Sequence, residues 1–183
     1  MSEETVVRHC SPTLAGLKTG SLLTAAFSSE ADLHDTVRKL NKLLTKKGLR
    51  VLPLRYRDHR GLIYMYRPSK LSEDLRDSAA ARLLRACGYP EASSEQRINH
   101  LRKRLSENRE FPHEIGLFLG YPPADVEGFI LNEARHSKLT GVWKVYGNVE
   151  EAQRQFAAFR HCTAQFLATF RIHGSLEKLA VSL

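Results

Sequence analysis

The cysteine at position 10 has neighbours that would favour a reactive thiol. Ser11 and Pro12 follow it and apolar residues come soon after, a pattern typical of the first turn of a helix. The unpaired N–H groups and the dipole at a helix N-terminus stabilise a thiolate over a thiol, and His9 could add positive charge. The pattern predicts a nucleophile, a redox thiol or a soft ligand at Cys10. The alternative is a buried cysteine that packs as a small apolar side chain.

A histidine and a glutamate at positions 113 and 114 are candidate catalytic partners for Cys10. His113 and Glu114 open an apolar, glycine-containing segment within 111–123, which predicts a short strand close to a ligand or another backbone. A cysteine at a helix start followed by a histidine at a strand start is the order of papain-like cysteine peptidases. No glutamine precedes Cys10 to complete an oxyanion hole. The alternative for His113 is therefore a strand residue bonded to a backbone carbonyl.

Several other residues are weaker candidates for ligand binding. Lys18 closes the segment that begins at His9, and Trp143 and Lys144 lie in a predicted strand. Strand aromatics normally pack against a sheet, and strand cations at the surface are normally only hydrated. Arg67 and Lys144 are nevertheless the side chains beside the aromatic residues that could bind an anion.

Positive charge is concentrated in one predicted helix and hairpin. The chain has 28 Lys and Arg against 20 Asp and Glu, a formal charge of +8 with a pI near 9.6. Such a cluster predicts a surface for nucleic acid or another polyanion, and the alternative is a hydrated face without a partner. The main cluster comprises Arg38, Lys39, Lys42, Lys46, Lys47, Arg50, Arg55, Arg57 and Arg60, and a second group comprises Arg97, Arg102, Lys103 and Arg104.

The hydrophobic pattern predicts an α+β fold in a single globular domain over residues 1–183. Apolar residues recur at helical spacing between Ser29 and Gly48, and two apolar runs on either side of 58–61 predict a hairpin. Pro53 should place the first hairpin strand at an edge or a bulge. The sheet is expected to be small, mixed or antiparallel, with this hairpin at its centre and several helices covering it. The predicted elements are a strand at 20–27, a helix at 29–48, hairpin strands at 49–57 and 62–66, helices within 69–108, a strand within 111–123, a helix at 122–131, a strand at 141–146, a helix at 148–174 and a short amphipathic tail.

Composition and motif content exclude several classes of protein. Hydrophobic residues form 42% and charged residues 26% of the chain, which are ordinary globular values. No apolar run approaches the roughly 18 residues of a membrane span, which predicts a cytoplasmic protein that binds no membrane. Cys10, Cys87 and Cys162 do not form a disulfide framework and are expected to be reduced. The sequence contains no phosphate loop, dinucleotide fingerprint or zinc-ligand spacing, so no metal is predicted and no cofactor is identified.

Three motifs give the chain a resemblance to a known family. They are HCSPTLAGLK at 9–18, FPHEIGLFLGYP at 111–122 and GVWKVYG at 141–147. With these motifs the chain resembles, over nearly its whole length, the uncharacterised bacterial family DUF3793, a domain of unknown function. The resemblance implies no activity, cofactor or catalytic residue. Relatives have a cysteine before the last motif, whereas residues 136–140 of this chain contain none, so no cysteine role is required at that point.

Three hypotheses about function remain open from the sequence. The leading one is a protein with a ligand-binding or reaction site for a small molecule around Cys10. The second is a module that binds nucleic acid or another polyanion through residues 38–60. The third is an adaptor that docks another protein through apolar faces. At this stage a small molecule or a protein is favoured over nucleic acid as the partner.

Overall fold

The computed structural model describes residues 1–107 and 111–182, which form two compact units. The first unit consists of Met1–Ser69 with Phe159–Leu183, and the second of Lys70–Ala158. The single domain expected over residues 1–183 stays a prediction. In chain order the described helices are α1 (Glu3–Leu14), α2 (Glu30–Leu44), α3 (Pro68–Asp74), α4 (Ser78–Ala86), α5 (Ser94–Glu107), α6 (Ile115–Phe118), α7 (Pro123–Leu131), α8 (Val149–His173) and α9 (Leu176–Leu179), and the strands are β1 (Gly20–Ala26), β2 (Arg50–Arg57), β3 (Arg60–Tyr66), β4 (Leu139–Thr140) and β5 (Lys144–Val145).

The sheet of the first unit is antiparallel, with strand order β1-β3-β2. Strands β2 and β3 form the predicted hairpin, whose tip residues Asp58 and His59 both have positive φ angles, of 50° and 57°. Positive φ angles at both central residues are typical of a type I′ turn, whose backbone matches the right-handed twist of the flanking strands. Strand β2 lies at an edge, and its register shifts between Pro53 and Arg55. Both the hairpin and the edge position of Pro53 are therefore confirmed.

Helix α2 has the boundaries that its sequence signals predict. The Ser29 side chain accepts a hydrogen bond from the backbone N–H of Asp32 and caps the first turn. A short 3-10 turn, Thr45–Lys47, follows the helix, and Gly48 ends it with a left-handed φ of 74°. Only glycine adopts that conformation without strain, which explains why the helical segment stops there.

One face of the three-stranded sheet carries the core of the first unit. Leu23, Val51, Ile63 and Met65 point from the strands into a cluster shared with α1 and α2. The end of the chain also belongs to this cluster through the buried Leu176 of α9. Burial of such side chains contributes roughly 1.5–3 kcal/mol each, so this cluster fixes the position of α2 on the sheet.

The second unit is helical where a strand was expected between residues 111 and 123. That segment folds into a turn followed by α6, closed by bonds such as the Leu119 N–H to the Ile115 carbonyl (3.2 Å). Ile115, Leu117, Phe118 and Leu119 are all buried, so the run is apolar on every side and its period does not distinguish strand from helix. The predicted strand is therefore wrong.

Other elements of the second unit follow the sequence more closely. Ser93 and Gln96 exchange backbone-to-side-chain hydrogen bonds (3.1 and 3.3 Å), which form a capping box at the start of α5. The predicted helical segment runs to position 108, which lies outside the described residues. The strand expected at 141–146 is reduced to β5, paired with β4. The α+β class is confirmed, and within the described ranges no helix is both long and apolar enough to cross a bilayer.

Candidate functional site

Cys10 lies in the second half of α1 rather than at its start. The helix begins at Glu3, and the Ser2 hydroxyl caps it by accepting from the Thr5 N–H at 3.2 Å. Pro12 lies inside the helix, two residues before its end at Leu14. The prediction of Cys10 at a helix N-terminus is therefore wrong. Glu3 and Glu4 mark the start of α1, since acidic residues favour the first turn of a helix. Pro12 instead suggested a start later in the chain.

The environment of Cys10 favours the thiol over the thiolate. The residue is 0% exposed, and burial raises the pKa of its thiol to about 12. Burial also lowers the pKa of the neighbouring Lys18 to about 8, which leaves most of that amine protonated at neutral pH. Thr13 and Ser21 share a hydrogen bond of 2.8 Å beside this pair. A buried, protonated thiol is a poor nucleophile, so the structure lacks the activation on which the thiol hypothesis depends.

The three cysteines should be alkylated in the order of their exposure. An activated Cys10 would instead react first. Cys87 is half-buried whereas Cys10 and Cys162 are buried, so we expect iodoacetamide to modify Cys87 first in the native protein. Peptide mass spectrometry over a time course measures this order, and labelling in urea gives the rates without protection. Faster labelling of Cys10 than of Cys87 in the native protein would support the hypothesis of an activated thiol at Cys10.

The proposed partners of Cys10 belong to the other unit. His113 is exposed, and its ring lies 4.9 Å from that of Phe129. Glu114 is buried and accepts a hydrogen bond from the Tyr89 hydroxyl (2.9 Å) while pairing with Nε of Arg104 (3.0 Å). Burial and the adjacent carboxylate raise the pKa of Tyr89. This arrangement holds α5 against the start of α6 and gives Glu114 a structural role.

The weaker ligand candidates make structural contacts as well. The indole of Trp143 donates to Oδ2 of Asp125 (2.7 Å), and Nζ of Lys144 donates to the Ala134 carbonyl (2.6 Å). Arg67 is fully buried and donates to four backbone carbonyls, so it is not placed for an anion. His9 is exposed on α1. Among the described residues, no group of three His, Cys, Asp or Glu side chains is arranged to hold a metal.

The basic residues of positions 38–60 lie on the outer side of α2, on the following 3-10 turn and on the edge strand β2 with its hairpin, and together they are called the basic face. The buried side of α2 carries Leu33, Val37, Leu40 and Leu44. Since each residue turns a helix by about 100°, the basic positions fall on the opposite, outer side. The exposed members of the basic face are Arg38, Lys39, Lys42, Lys46, Arg50, Arg57 and Arg60, and Lys47 and Arg55 are half-exposed.

The Asn41 side chain joins the helical part of the basic face to its strand part. The Asn41 side chain donates to the Val51 carbonyl (2.8 Å) and accepts from the Val51 N–H (2.9 Å). This pair joins α2 to the start of β2 and fills backbone positions on an edge strand. The basic side chains are therefore carried by elements whose relative position is set.

Few of these cations are neutralised within the chain. Arg38 pairs with Asp35 at 3.1 Å and Arg57 with Asp58 at 3.5 Å, both at the surface. In the described parts of the chain, the remaining members of the basic face form no ion pair. Surface pairs of this kind contribute about 0–1 kcal/mol and are easily exchanged for another anion.

The net charge of the chain resides in the basic face. Residues 38–60 contain nine Lys and Arg and a single acid, Asp58, which gives them a net charge of +8. The whole chain also has a formal charge of +8, so the other 160 residues are neutral in sum. A face of this kind produces a positive potential that the rest of the surface does not offset.

The second basic group on α5 is used differently. Arg97 donates to the Leu75 carbonyl (2.8 Å), and Arg104 donates to the Cys87 carbonyl (2.8 Å) in addition to its pairing with Glu114. These two arginines hold helices together, which leaves Arg102 and Lys103 exposed. Sequence clustering alone does not separate such structural arginines from those of the basic face.

Comparison with known proteins gives one match. Residues 6–180 match a family model described as "Protein of unknown function (DUF3793)". No curated protein and no solved structure matches the chain.

Proposed function

The chain belongs to the DUF3793 family, whose description assigns no activity, and we propose that its basic face binds the phosphate backbone of nucleic acid. The concentration of charge carries this proposal. The entire net charge of +8 lies in 23 consecutive residues of one helix, one turn and one hairpin, and most of their cations are exposed and form no ion pair among the described residues. Exposed Lys and Arg on ordered elements are the groups that neutralise phosphates and release their counterions.

Nucleic acid fits this face better than a lipid surface does. A helix that lies in a membrane interface needs apolar side chains beside its basic ones. The exposed positions of α2 are polar or charged apart from Ala31, and its large apolar side chains face the sheet. The basic face therefore offers electrostatic attraction without a group that would enter the bilayer.

The thiol hypothesis has less support than this proposal. Cys10 is buried with a raised pKa, and the candidate catalytic residues His113 and Glu114 belong to a different unit. The surroundings of Cys10 favour its protonated thiol, whereas the basic face offers exposed charges on ordered elements. We therefore place nucleic-acid binding ahead of the reaction site that the sequence favoured.

Salt dependence is the first test of the proposal. If about six phosphates are neutralised, log K should fall with log[salt] at a slope near −5, a loss of about 10³ between 50 and 200 mM salt. Fluorescence anisotropy with a labelled duplex measures that slope. Absence of binding at the lowest salt would refute the proposal, and tighter binding to phosphatidylserine vesicles than to the duplex would assign the face to membranes.

A charge-neutral variant locates the binding surface. K39Q/K42Q/K46Q removes three exposed cations, so we expect a salt slope that is smaller by about 3 and an affinity at least about tenfold weaker at moderate salt. The matched control R102Q/K103Q/R160Q removes three exposed cations elsewhere, and its affinity should stay within about twofold of the wild type. Equal losses in both variants would mean that net charge, not the basic face, determines binding.

A further inference from the structure

We infer that the basic face recognises a duplex through its phosphates rather than a single strand through its bases. This inference rests on the proposed function and adds the class of nucleic acid. Two observations carry it: the burial of the aromatic side chains and the fixed scaffold that holds the charges.

The aromatic residues near the basic face are buried or half-buried. Tyr64 and Tyr66 are buried on β3 and stack on each other with ring centroids 4.7 Å apart. Phe27 is buried in the core, and Tyr56 packs against that core with its hydroxyl within 3.5 Å of the Phe27 carbonyl. Across residues 27–67, all of which the structure describes, no Phe, Trp or Tyr is exposed.

The rings that remain accessible near this surface are the half-buried phenol of Tyr56 and the imidazoles of His34 and His59. The Nδ1 atom of His59 lies 3.4 Å from the Tyr56 hydroxyl, and its backbone is held in the left-handed turn conformation. Two imidazoles and one half-buried phenol offer few faces on which successive bases stack. Proteins that bind single strands obtain much of their affinity from such platforms, because flexible strands lose entropy when they are ordered.

The higher charge density of a duplex gives it the stronger electrostatic attraction to the basic face. Between residues 38 and 46 the basic side chains extend over about 12 Å of helix. A duplex offers one negative charge per about 1.7 Å of its axis, and a single strand about half that density. The scaffold is fixed by the Asn41–Val51 hydrogen bonds, so the cations do not rearrange to follow a flexible strand.

The basic face has no free amide side chain for reading adenine. Amide side chains read adenine in the major groove, and Asn41 is the only Asn or Gln in residues 38–60. Both polar atoms of its side chain are engaged by the backbone of Val51. Arginine binds guanine as well as phosphate, so a comparison of AT-rich and GC-rich duplexes tests whether the five arginines of the face contact phosphate alone.

Anisotropy with four labelled ligands tests this inference. The ligands are AT-rich and GC-rich DNA duplexes of about 20 base pairs, an RNA duplex of that length, and a single strand of dT. We expect the duplexes to bind within about threefold of one another and the single strand at least about tenfold more weakly. Equal or tighter binding of dT, or a tenfold preference for one DNA sequence, would overturn the inference. Failure of every ligand to bind would instead refute the proposed function.

A gain-of-contact variant gives an independent readout. Thr45 is exposed in the 3-10 turn between Lys42 and Lys46, so T45W adds a ring to the face without removing a charge. If the missing platform limits binding of single strands, T45W should raise affinity for dT by about fivefold or more and leave duplex affinity within about twofold. An unchanged affinity for dT would contradict the role assigned to aromatic stacking.

Discussion

Replacement of Arg67 by Met should destabilise the first unit by about 3–5 kcal/mol. The guanidinium is fully buried and donates to the carbonyls of Thr13 and Leu14 at the end of α1, at 2.8 and 2.7 Å. It also donates to the carbonyls of Lys47 (3.0 Å) and Val181 (2.8 Å). Methionine fills a similar volume but removes all four hydrogen bonds, and hydrogen bonds from a charged donor contribute about 1.5–3 kcal/mol each. The carbonyls of Thr13 and Leu14 keep only the N–H groups of Gly16 (3.1 Å) and Val181 (3.0 Å).

Thermal and urea unfolding of Arg67→Met and two further variants measures this effect. Arg67→Lys keeps the charge but concentrates its donors at one point, so it should recover only part of the loss. Arg57→Met is the matched control, because Arg57 is exposed on the same hairpin, and it should change stability by less than about 0.5 kcal/mol. A loss below about 1 kcal/mol for Arg67→Met would show that water or neighbouring donors satisfy the carbonyls.

Helix α2 and the β2–β3 hairpin could be predicted because local chemistry determines them. Ser29 and Gly48 bound α2, and the hairpin requires only alternating apolar residues with a short turn at Asp58 and His59. The segment after Phe111 could not be predicted in the same way. Tertiary packing buries its residues on all sides, so the period of its apolar residues does not distinguish a strand from a helix.

The candidate site shows the same division between local and tertiary information. The basic face was predicted because charge spacing on a helix is visible in sequence, and the buried apolar positions tell which side is exposed. The roles of Arg67 and Glu114 were not, because their partners are distant carbonyls and side chains that only the fold brings together. Cys10 was misplaced because Pro12, typical of the first turn of a helix, here lies near the end of one.

The second residue whose replacement should have a large effect is one that binds the motif GVWKVYG at 141–147. Asp125, near the start of α7, is buried and accepts from Nε1 of Trp143 (2.7 Å) and from the backbone N–H groups of Tyr146 (2.8 Å) and Gly147 (2.7 Å). One carboxylate thus satisfies three donors from a segment with little regular structure. The Trp143 ring packs between Tyr121 and Phe156, at centroid distances of 4.8 and 4.5 Å. Its orientation there depends on the hydrogen bond from its indole N–H to Asp125.

Asp125→Ala should therefore destabilise the second unit by about 3–4 kcal/mol, because it leaves one buried and two half-buried donors unpaired. Asp125→Asn retains an oxygen for the two backbone N–H groups but turns an amide N–H₂ towards the indole, so its loss should be intermediate. Trp143 is the only tryptophan of the chain, and its emission should shift to longer wavelength in both variants as the indole becomes hydrated. Glu127→Ala is the control on the same helix, since it removes only a surface ion pair with Arg82. If Asp125→Ala unfolds no earlier than this control and its emission is unchanged, the carboxylate does not hold the motif in place.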